Sequence, residues 1–549
     1  MVFLPLGGSG EIGMNLNLYG LGPKGQERWV MVDCGVTFGG PNEPGIDLIT
    51  PDITFIKQQR ERLLALVLTH AHEDHIGAIG MLWEELQCPI YATPFTALMV
   101  EAKLRERGLP TSQVHRIKTG QTIRIGDFDI RYMAITHSIP ESHLLGITTP
   151  LGAVVHTGDW KFDPDPVIGS VSDLDGFGDF AERNNILAMV CDSTNAITPG
   201  RSGSERAVAD ELKDVVAGIK GRAIVTTFAS NAARVKAIFQ AAQANQREIV
   251  LVGRSMHKIV DAARGCGYLA GLPSPVPEED AGFLPPEHTL ILCTGSQGEG
   301  RAALGKMADG THPFISLSSR DTVIFSSKII PGNEKTVFGL FNRLSAKGVR
   351  IITEKHANIH VSGHPCAEEL SDMYKIIQPK LAIPVHGEVM HMMTHASIAY
   401  EANVPAALVP SNGMMIELAP NLGEVLEHVD AGRLYVDGYL MERAGESAAD
   451  DRRRLTFAGC VFVCVVYDER AVESFYLTGR GVPQALLDDH HDGFYQAVVA
   501  VLSNFDNKLP SASVIGEHVR QAIRRQFKSL WGKKPLVDVH MLEKKELFP

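Results

Sequence analysis

A short stretch of the chain is dense in side chains that can bind a metal ion. Residues 67–77 read Val-Leu-Thr-His-Ala-His-Glu-Asp-His-Ile-Gly, so three histidines and two carboxylates fall within six residues. Imidazole nitrogens and carboxylate oxygens are ligands suited to Zn²⁺ or Mn²⁺. His70 and His72 alternate with other residues, so both can point the same way in extended backbone, whereas Asp74 and His75 can face a second point. The pattern predicts a metal site, and two ions are favoured over a polar loop with incidental histidines.

Apolar segments that end in a histidine or an aspartate recur along the chain. Residues 63–68 form an apolar run that reads as a buried strand opening into the histidine-rich loop. The same order, an apolar strand and then His or Asp, recurs at His137, Asp159, Asp192 and His386. Any one of these alone would more often be a turn or capping residue. Because ligands bind where strand ends converge in layered α/β folds, the recurrence predicts that these side chains meet.

Composition sets limits on the class of protein. The chain has 549 residues, 44% of them hydrophobic, which fits roughly three or four globular domains. No apolar run approaches the ~20 residues needed to cross a bilayer. The eight cysteines are scattered, mostly in apolar segments, which predicts free thiols and a cytoplasmic location. The net charge of -12 argues mildly against nucleic-acid binding but does not decide the substrate, because a basic channel can exist in an acidic protein.

The glycine-rich N-terminus has the form of a dinucleotide-binding fingerprint. Residues 8–13 read Gly-Ser-Gly-Glu-Ile-Gly, and Asp33 follows twenty residues later. The fingerprint requires a helix after the glycines, whereas residues 14–19 alternate like a strand. We therefore predict a β-hairpin that returns through residues 28–32, with Asp33 supporting the metal-binding loop from behind.

The middle of the chain has a different character. Strands alternate with helices there, which predicts a separate parallel α/β domain. Its loops, including Ser230, Asn231 and residues 294–299, are rich in Gly, Ser, Thr and Asn. Such loops can donate amides and hydroxyls to phosphate, but ordinary strand-to-helix turns have the same composition, and the two interpretations have equal weight.

The order of the motifs resembles the metallo-β-lactamase superfamily. It runs His70-x-His72-x-Asp74-His75, then His137, Asp159 and His386. More than two hundred residues separate the last two, which resembles the inserted domain of the β-CASP nucleases. Within that group, four motifs are similar to the bacterial ribonuclease J family: residues 8–15, 137–140, 360–364 and 384–388.

The resemblance implies an α/β fold with three parts. An αββα metallo-β-lactamase sandwich would comprise residues 1–200 and 351–440, interrupted by an α/β β-CASP domain at 201–350. A small α+β C-terminal domain would occupy residues 456–549. The charged and small residues at 441–455 are typical of a linker, which we predict there.

The resemblance also implies roles for single residues. The first metal ion would be held by His70, His72 and His137, the second by Asp74, His75 and His386, and Asp159 would bridge them. The implied catalytic residues are Asp74, Asp192 and His364. Asp192 would orient a ligand histidine or the nucleophilic water, and His364 would contact the scissile phosphate and protonate the leaving 3′ oxygen. Contacts to RNA or its terminal phosphate would come from His360, Ser362, Gly363, His364, Ser230, Asn231 and Ser296. His143 and His156 match no motif, and we interpret them as structural.

The implied function is metal-dependent hydrolysis of single-stranded RNA. Family members act as 5′-to-3′ exonucleases that prefer 5′-monophosphate ends, and they also cut internally, in RNA maturation and decay. Two divalent ions are expected, Zn²⁺ first, with Mn²⁺ or Mg²⁺ as alternatives. A homodimer or homotetramer formed through the C-terminal domain is expected, with other RNA-decay proteins as further partners and no membrane.

Three alternatives remain to be weighed. A thioesterase or lactamase of the same core is disfavoured, because a small substrate needs neither the inserted nor the C-terminal domain. A β-CASP nuclease that acts on DNA is not excluded by the metal ligands. A scaffold with an inactive site is disfavoured, because all seven ligand positions are filled.

Overall fold

The computed structural model describes residues 1–505 and 509–547. These form two compact units: the first comprises Met1–Thr37 and Thr50–Arg433, and the second comprises Phe38–Ile49 and the described residues from Leu434 onward. None of the described helices combines the length and apolar character needed to span a bilayer. All eight cysteines lie in the described residues and are free thiols, as predicted.

Two β-sheets share an apolar core in the first unit. In the described residues the first sheet has eight strands, in spatial order Glu424–His428, Met414–Glu417, Val2–Gly7, Leu16–Leu21, Arg28–Val32, Leu63–Val67, Ile90–Ala92 and Val114–Arg116. The second has seven: Thr122–Ile125, Phe128–Ala134, His143–Thr149, Gly152–His156, Ile186–Asp192, Leu381–Val385 and Ala406–Ala407. Val30 and Val67 of the first sheet and Tyr132 and Val154 of the second are fully buried in the shared core.

Helices and short elements complete the metallo-β-lactamase part of this unit. Its helices are Thr54–Gln58, Glu73–Ile76, Ile79–Leu86, Pro94–Glu106, Leu174–Arg183, Ala367–Ile377 and Val389–Glu401, with a 3₁₀ turn at Arg60–Arg62. Phe177, Leu370 and Met373 from these helices are buried in a second core with Val155 and Met189 of the second sheet. Since strands such as Ile186–Asp192 are covered on both faces, every residue in that strand is buried, and the sequence is continuously apolar up to its last residue. The predicted αββα sandwich is confirmed.

The inserted domain is a parallel five-stranded sheet with helices, as predicted. The strands among the described residues are, in spatial order, Glu248–Val252, Thr289–Cys293, Ala223–Thr226, Thr322–Phe325 and Arg350–Ile352. The helices are Glu205–Ala217, Ala232–Ala244, Arg254–Gly265, Ala303–Asp309 and Glu334–Ala346, with 3₁₀ turns at Glu278–Phe283 and Pro286–His288. All strand pairs in this sheet are parallel, which fits strands joined by crossover helices.

The predicted N-terminal hairpin is confirmed. Leu16–Leu21 pairs antiparallel with Arg28–Val32, so a strand rather than a helix follows the glycines and a dinucleotide-binding loop is excluded. The short strand Ser9–Gly10 pairs in parallel with Gly387–Glu388, which brings the glycine-rich stretch beside His386.

The second unit is an α+β domain. Its three-stranded sheet has the order Ala471–Arg480, Cys460–Asp468 and Leu536–Glu543. Its helices are Ala448–Ala458, Gln484–Asp489, His491–Ser503, Ala512–Trp531 and Lys544–Leu547, and further strands are Thr37–Phe38, Leu48–Pro51, Arg433–Asp437 and Leu440–Arg443. Val461, Val463 and Val465 are buried against the helices in one core with Phe494 and Phe527.

The predicted linker at 441–455 is wrong over most of its length, because strand Leu440–Arg443 and helix Ala448–Ala458 cover all of it except residues 444–447. Residues Ala448–Ala458 form a helix, and the Ser447 side chain caps it by accepting a hydrogen bond from the amide of Ala449. Ion pairs join Arg453 to Asp450 and Arg454 to Asp451 one turn apart. The small and charged residues that resemble a linker are also good helix formers behind a serine cap.

Candidate metal centre

The seven predicted metal ligands form two clusters that share one carboxylate. The first cluster consists of His70, His72, His137 and Asp159, and the second of Asp74, His75, Asp159 and His386. Within each cluster, one ligand atom per residue lies within 4.8 Å of every other. Asp159, His364, Asp192 and His386 make a third, overlapping group. The strands therefore converge as their sequence pattern predicts.

In the first cluster, ring nitrogens of three histidines lie close to one another. Nδ1 of His72 lies 3.1 Å from Nε2 of His70 and 3.0 Å from Nε2 of His137. Oδ2 of Asp159 lies 3.8 Å from both Nε2 atoms. Nδ1 of His137 donates a hydrogen bond to the carbonyl of Gly363 at 2.5 Å, which leaves a lone pair on Nε2. Three imidazoles and a carboxylate converging in this way fit a divalent cation such as zinc.

The second cluster contains buried polar atoms without protein partners. Nε2 of His75 lies 3.2 Å from Oδ1 of Asp159, and Nε2 of His386 lies 3.4 Å from its Oδ2. Oδ2 of Asp74 lies 3.7 Å from the first of these nitrogens and 3.5 Å from the second. Among the described residues, both oxygens of Asp159 and Nε2 of His386 are buried without a hydrogen-bond partner. Since such atoms are rare unless an ion or water satisfies them, these residues fit a cation.

Burial and charge act differently on the two clusters. Burial, and then the neighbouring histidines, hold the pKa values of His70 and His137 well below the usual range for histidine. Burial also lowers the pKa of His75, but Asp159 and Asp74 outweigh it and raise that pKa. Although burial opposes ionisation of Asp159, His386 and His75 hold its pKa well below its usual range. The first cluster is therefore mainly neutral imidazole, whereas the second has two carboxylates that favour the protonated form of its histidines when no cation is bound.

Asp33 supports the histidine-rich loop from behind, as predicted. Its Oδ2 accepts hydrogen bonds from Oγ1 of Thr69 and from Nδ1 of His75, both at 2.7 Å. Oγ1 of Thr69 also lies 3.0 Å from Nδ1 of His70. Because the single hydroxyl hydrogen of Thr69 goes to Asp33, the hydroxyl accepts from His70, and both histidines present Nε2 to the clusters.

The approach to Asp159 requires a glycine. Gly158 has a φ of +57°, and a Cβ at this position would lie 2.9 Å from Cβ of Thr69. The turn after strand Gly152–His156 can therefore bring Asp159 up to the loop only without a side chain at residue 158.

Asp192 bonds to His364. Its Oδ2 accepts from Nδ1 of His364 at 2.8 Å, and its Oδ1 accepts from the amide and hydroxyl of Thr194 at 2.9 and 2.7 Å. Burial opposes the charged form of His364, but Asp192 outweighs it and raises the pKa of His364 to about 9. The ring of His364 lies 5.1 Å from that of His137 and 5.6 Å from that of His386, between centroids. In the described hydrogen bonds the histidine partner of Asp192 is His364, and the role of Asp192 towards a ligand histidine or the nucleophilic water stays a prediction.

The other predicted phosphate contacts are placed unequally. Ser362 and Gly363 precede His364 in a segment that contacts His137. Asn231 caps helix Ala232–Ala244 by accepting from the amide of Arg234 at 2.8 Å, as an ordinary turn would.

The loop that carries Ser230 and Asn231 nevertheless lies near the clusters. The amide of Ala233 donates to the carbonyl of Ser138, whose Oγ is 3.5 Å from Nε2 of His72. Ser296 is buried in the inserted domain, and Nδ1 of His360 is buried without a hydrogen-bond partner among the described residues.

His143 and His156 lie outside the clusters, as predicted for structural histidines. Two asparagines that the sequence analysis did not single out lie against the clusters. His143 bonds to Thr119 and His156 to Tyr19, both at 2.9 Å, and burial lowers both histidine pKa values to about 4. The side-chain amides that lie against the clusters belong to Asn15, close to His75 and His386, and Asn195, close to Ser362 and His364. The sequence offers one signal for each asparagine. Asn15 is the last residue of the glycine-rich motif, and Asn195 lies in the polar run that begins at Asp192.

Comparison with known protein families gives four matches along the chain. Residues 19–214 match the metallo-beta-lactamase superfamily, and residues 220–344 match the ribonuclease J beta-CASP domain. Residues 348–407 match the Zn-dependent metallo-hydrolase RNA specificity domain, and residues 448–544 match the ribonuclease J C-terminal domain. The last match begins at the helix that replaces the predicted linker.

Individual relatives agree with these matches. Ribonuclease J of Sinorhizobium meliloti is 44% identical over 547 residues, which cover 98% of this chain and 96% of the relative. Ribonuclease J of Mycobacterium tuberculosis is 35% identical, with the same coverage of 98% and 96%. A solved structure from Enterococcus faecalis, titled a protein of unknown function, matches with a TM-score of 0.51 at 14% identity over 76% of this chain and 99% of that one. At that identity the structural match supports the fold alone.

Proposed function

Since this chain belongs to the ribonuclease J family, we propose that it degrades single-stranded RNA from the 5′ end, prefers ends that carry one phosphate, and also cuts internally. Membership establishes a metal-dependent hydrolytic ribonuclease that binds RNA and has a divalent metal site. The observation that carries the proposal is the pair of clusters sharing Asp159, with His364 beside them on Asp192. The cellular role that we assign is RNA maturation and decay.

The proposed site holds two divalent ions, with Zn²⁺ as the first candidate and Mn²⁺ or Mg²⁺ as alternatives. The first ion would be held by His70, His72 and His137, the second by Asp74, His75 and His386, and Asp159 would be shared. When bound, such a pair of ions supplies positive charge for a phosphodiester and makes a water molecule more acidic. The chain's own part is to hold these ligands rigidly, through Asp33 behind His75 and the Gly363 carbonyl behind His137.

His364 is the proposed acid for the leaving 3′ oxygen. Its Nδ1 is bonded to Asp192, so Nε2 carries the proton that substrate can receive. The carboxylate of Asp192 favours the protonated ring, and the hydroxyl and amide of Thr194 fix that carboxylate. A protonated ring beside the clusters would also attract the phosphate.

The proposed RNA contacts fall into two groups. Ser362, Gly363 and His364 would contact the scissile phosphate from the segment that returns from the inserted domain. His360 and the loop residues Ser230, Asn231 and Ser296 would contact the terminal phosphate or adjacent nucleotides. A polymer substrate explains why the inserted domain is present, because a small-molecule hydrolase with the same core would not need it.

Assembly through the C-terminal domain is also proposed. One face of the three-stranded sheet is covered by helices, whereas Phe462 and Tyr476 on the other side are 44% and 66% exposed. Their positions on neighbouring strands place apolar area on an open sheet face, which suits self-association into a homodimer or homotetramer. Other RNA-decay proteins are proposed as further partners.

The test is a product analysis with matched oligonucleotides. Purified protein with Mn²⁺ is given RNA and DNA of one sequence, each with a 5′-hydroxyl, monophosphate or triphosphate end and a 3′ label. We expect mononucleotides chiefly from monophosphorylated RNA and slower internal cuts in RNA with the other ends. Metal-stripped protein is the control and should be inactive. Equal cleavage of DNA, or equal rates at all three ends, would contradict the proposal.

A further inference from the structure

The side chain of Asn195 holds the turn that carries Ser362 and His364. Its Nδ2 lies 2.6 Å from Oγ of Ser362 and 3.3 Å from the carbonyl oxygen of His364. Asn195 follows strand Ile186–Asp192, and its partners are more than 160 residues away in sequence. One amide thus joins the metallo-β-lactamase core to the segment that returns from the inserted domain.

The orientation of this amide is determined by its second contact. A backbone carbonyl can only accept a hydrogen bond, so the Asn195 atom that faces the carbonyl of His364 must be the NH₂ group. The same NH₂ group faces Ser362 and donates there as well. The Ser362 hydroxyl oxygen therefore acts as the acceptor in this pair.

The Ser362 oxygen also accepts a second hydrogen bond. The backbone amide of His364 donates to Oγ of Ser362 at 3.2 Å. A serine hydroxyl has two acceptor positions and one donor hydrogen, so both acceptor positions are filled. No group in the described part of the chain accepts the remaining hydrogen. Ser362 is half-buried and thus accessible, and its hydroxyl can act towards substrate only as a donor.

The turn that carries Ser362 packs against the first cluster. Gly363 follows Ser362 directly, and its carbonyl accepts from Nδ1 of His137 in the first cluster. A Cβ on Gly363 would lie 2.7 Å from Cε1 of His137, so the turn packs tightly against that ligand. RNA presents acceptor oxygens on its phosphates, which match a directed hydroxyl donor.

We propose that Asn195 is a positioning residue that fixes the Ser362 hydroxyl as a hydrogen-bond donor to a phosphate oxygen of the bound RNA. This inference rests on the proposed phosphate contact of the Ser362–His364 turn. Asn195 itself does not touch RNA and acts through Ser362. The residues from Asp192 to Asn195 then act together: Asp192 holds the His364 ring, Thr194 holds the Asp192 carboxylate, and Asn195 orients Ser362.

The experiment is a double-mutant cycle on RNA cleavage. Asn195→Ala, Ser362→Ala and the double variant are compared in kcat/KM on one single-stranded RNA at saturating Mn²⁺. Asn245→Ala is the matched control, because Asn245 is also half-buried and its Nδ2 bonds two carbonyls, of Lys213 at 3.0 Å and Ala241 at 2.9 Å, within the inserted domain. Metal content and the unfolding temperature are measured for every variant.

We expect Ser362→Ala to lose roughly 10-fold to 100-fold in kcat/KM, the range for a hydrogen bond to a charged group. Asn195→Ala should lose a comparable factor, and the double variant should be no worse than Ser362→Ala alone. Asn245→Ala should retain wild-type kcat/KM. Losses that multiply in the double variant would overturn the inference, because Asn195 would then act independently of Ser362. An unchanged Ser362→Ala variant would overturn both the phosphate contact and the inference.

Asn195→Asp separates orientation from packing. The carboxylate has nearly the same shape but only accepts, so it would take the Ser362 hydrogen and turn the serine lone pairs outward. We expect this variant to be no more active than Asn195→Ala. Wild-type activity of a folded, metal-loaded Asn195→Asp variant would contradict the proposal, since the direction of the hydroxyl would then not matter.

Discussion

The two ligand clusters share Asp159 but are built and supported differently. The first sets three imidazoles against one carboxylate, and its His137 is oriented by a backbone carbonyl, that of Gly363. The second combines two imidazoles with two carboxylates, and its His75 is oriented by a buried carboxylate, Asp33. The ligand atoms of the two clusters therefore differ in hardness. The nitrogen-rich first cluster suits Zn²⁺, and the oxygen-rich second cluster also suits Mn²⁺ or Mg²⁺.

Removing the shared ligand should have the largest effect. In Asp159→Ala, both carboxylate oxygens are lost, so both clusters lose a ligand. We expect RNA cleavage to fall by at least about 10²–10³-fold, the loss typical of removing one preorganised group that stabilises charge. Metal analysis of the folded variant should show that both ions are depleted. Depletion of a single ion would contradict the proposal that both ions share Asp159 as a ligand.

Weakening the support of His75 should affect the second cluster more than the first, because Asp33 bonds His75 directly and reaches His70 only through Thr69. Asp33 has a φ of +62°, which asparagine tolerates, so Asp33→Asn should fold. Its neutral amide oxygen accepts the Nδ1 proton of His75 more weakly than the carboxylate does, so the tautomer with a lone pair on Nε2 is less favoured. We expect affinity for one ion to fall by about 10–100-fold and affinity for the other to fall less, measured by metal titration. Equal weakening of both ions would show that the clusters do not differ in support.

The pH dependence of kcat should test the role of His364 independently of the two metal clusters. The carboxylate of Asp192 raises the pKa of His364 to about 9, so the proposed acid is protonated below that pH and loses its proton above it. In Asp192→Asn that charge is gone, and the alkaline limb of kcat should move to lower pH by about 1–3 units. Metal content should stay at the wild-type level. If the alkaline limb of kcat did not shift, His364 would not be the acid.

A histidine outside the clusters should give the smallest change in activity. His143 is buried and bonded to Thr119, but it belongs to neither cluster. His143→Gln should cost about 1–3 kcal/mol in the free energy of unfolding, as for a buried group left unsatisfied. Metal content and kcat should be close to wild type. Loss of an ion from this variant would show that the ligand set extends beyond the seven residues.

The sequence predicts the ligands better than it predicts their supports. His70 to His75 are neighbours in sequence, and His137, Asp159 and His386 each follow an apolar strand, so a simple pattern finds them. The Gly363 carbonyl that orients His137 is 226 residues away, and the partners of Asn195 are equally remote. A backbone carbonyl has no side-chain identity, so no residue type marks its role.

Local composition gives a wrong prediction in one segment and a correct one in another. Residues 441–455 are small and charged, but Ser447 followed by two alanines and two aspartates is a helix start, which that composition concealed. The alternating residues after the N-terminal glycines predicted the hairpin correctly, because a strand of period two cannot serve as the helix that a dinucleotide site needs.

The two clusters that share Asp159 are proposed to form one dinuclear centre that cleaves RNA. The most direct test titrates metal-stripped wild-type protein with Zn²⁺ or Mn²⁺ while counting bound ions per chain and measuring the rate of RNA cleavage. The account predicts little activity at one ion per chain and a rise in rate as the second ion binds. Full activity with a single ion per chain, and no further rise with the second, would contradict it.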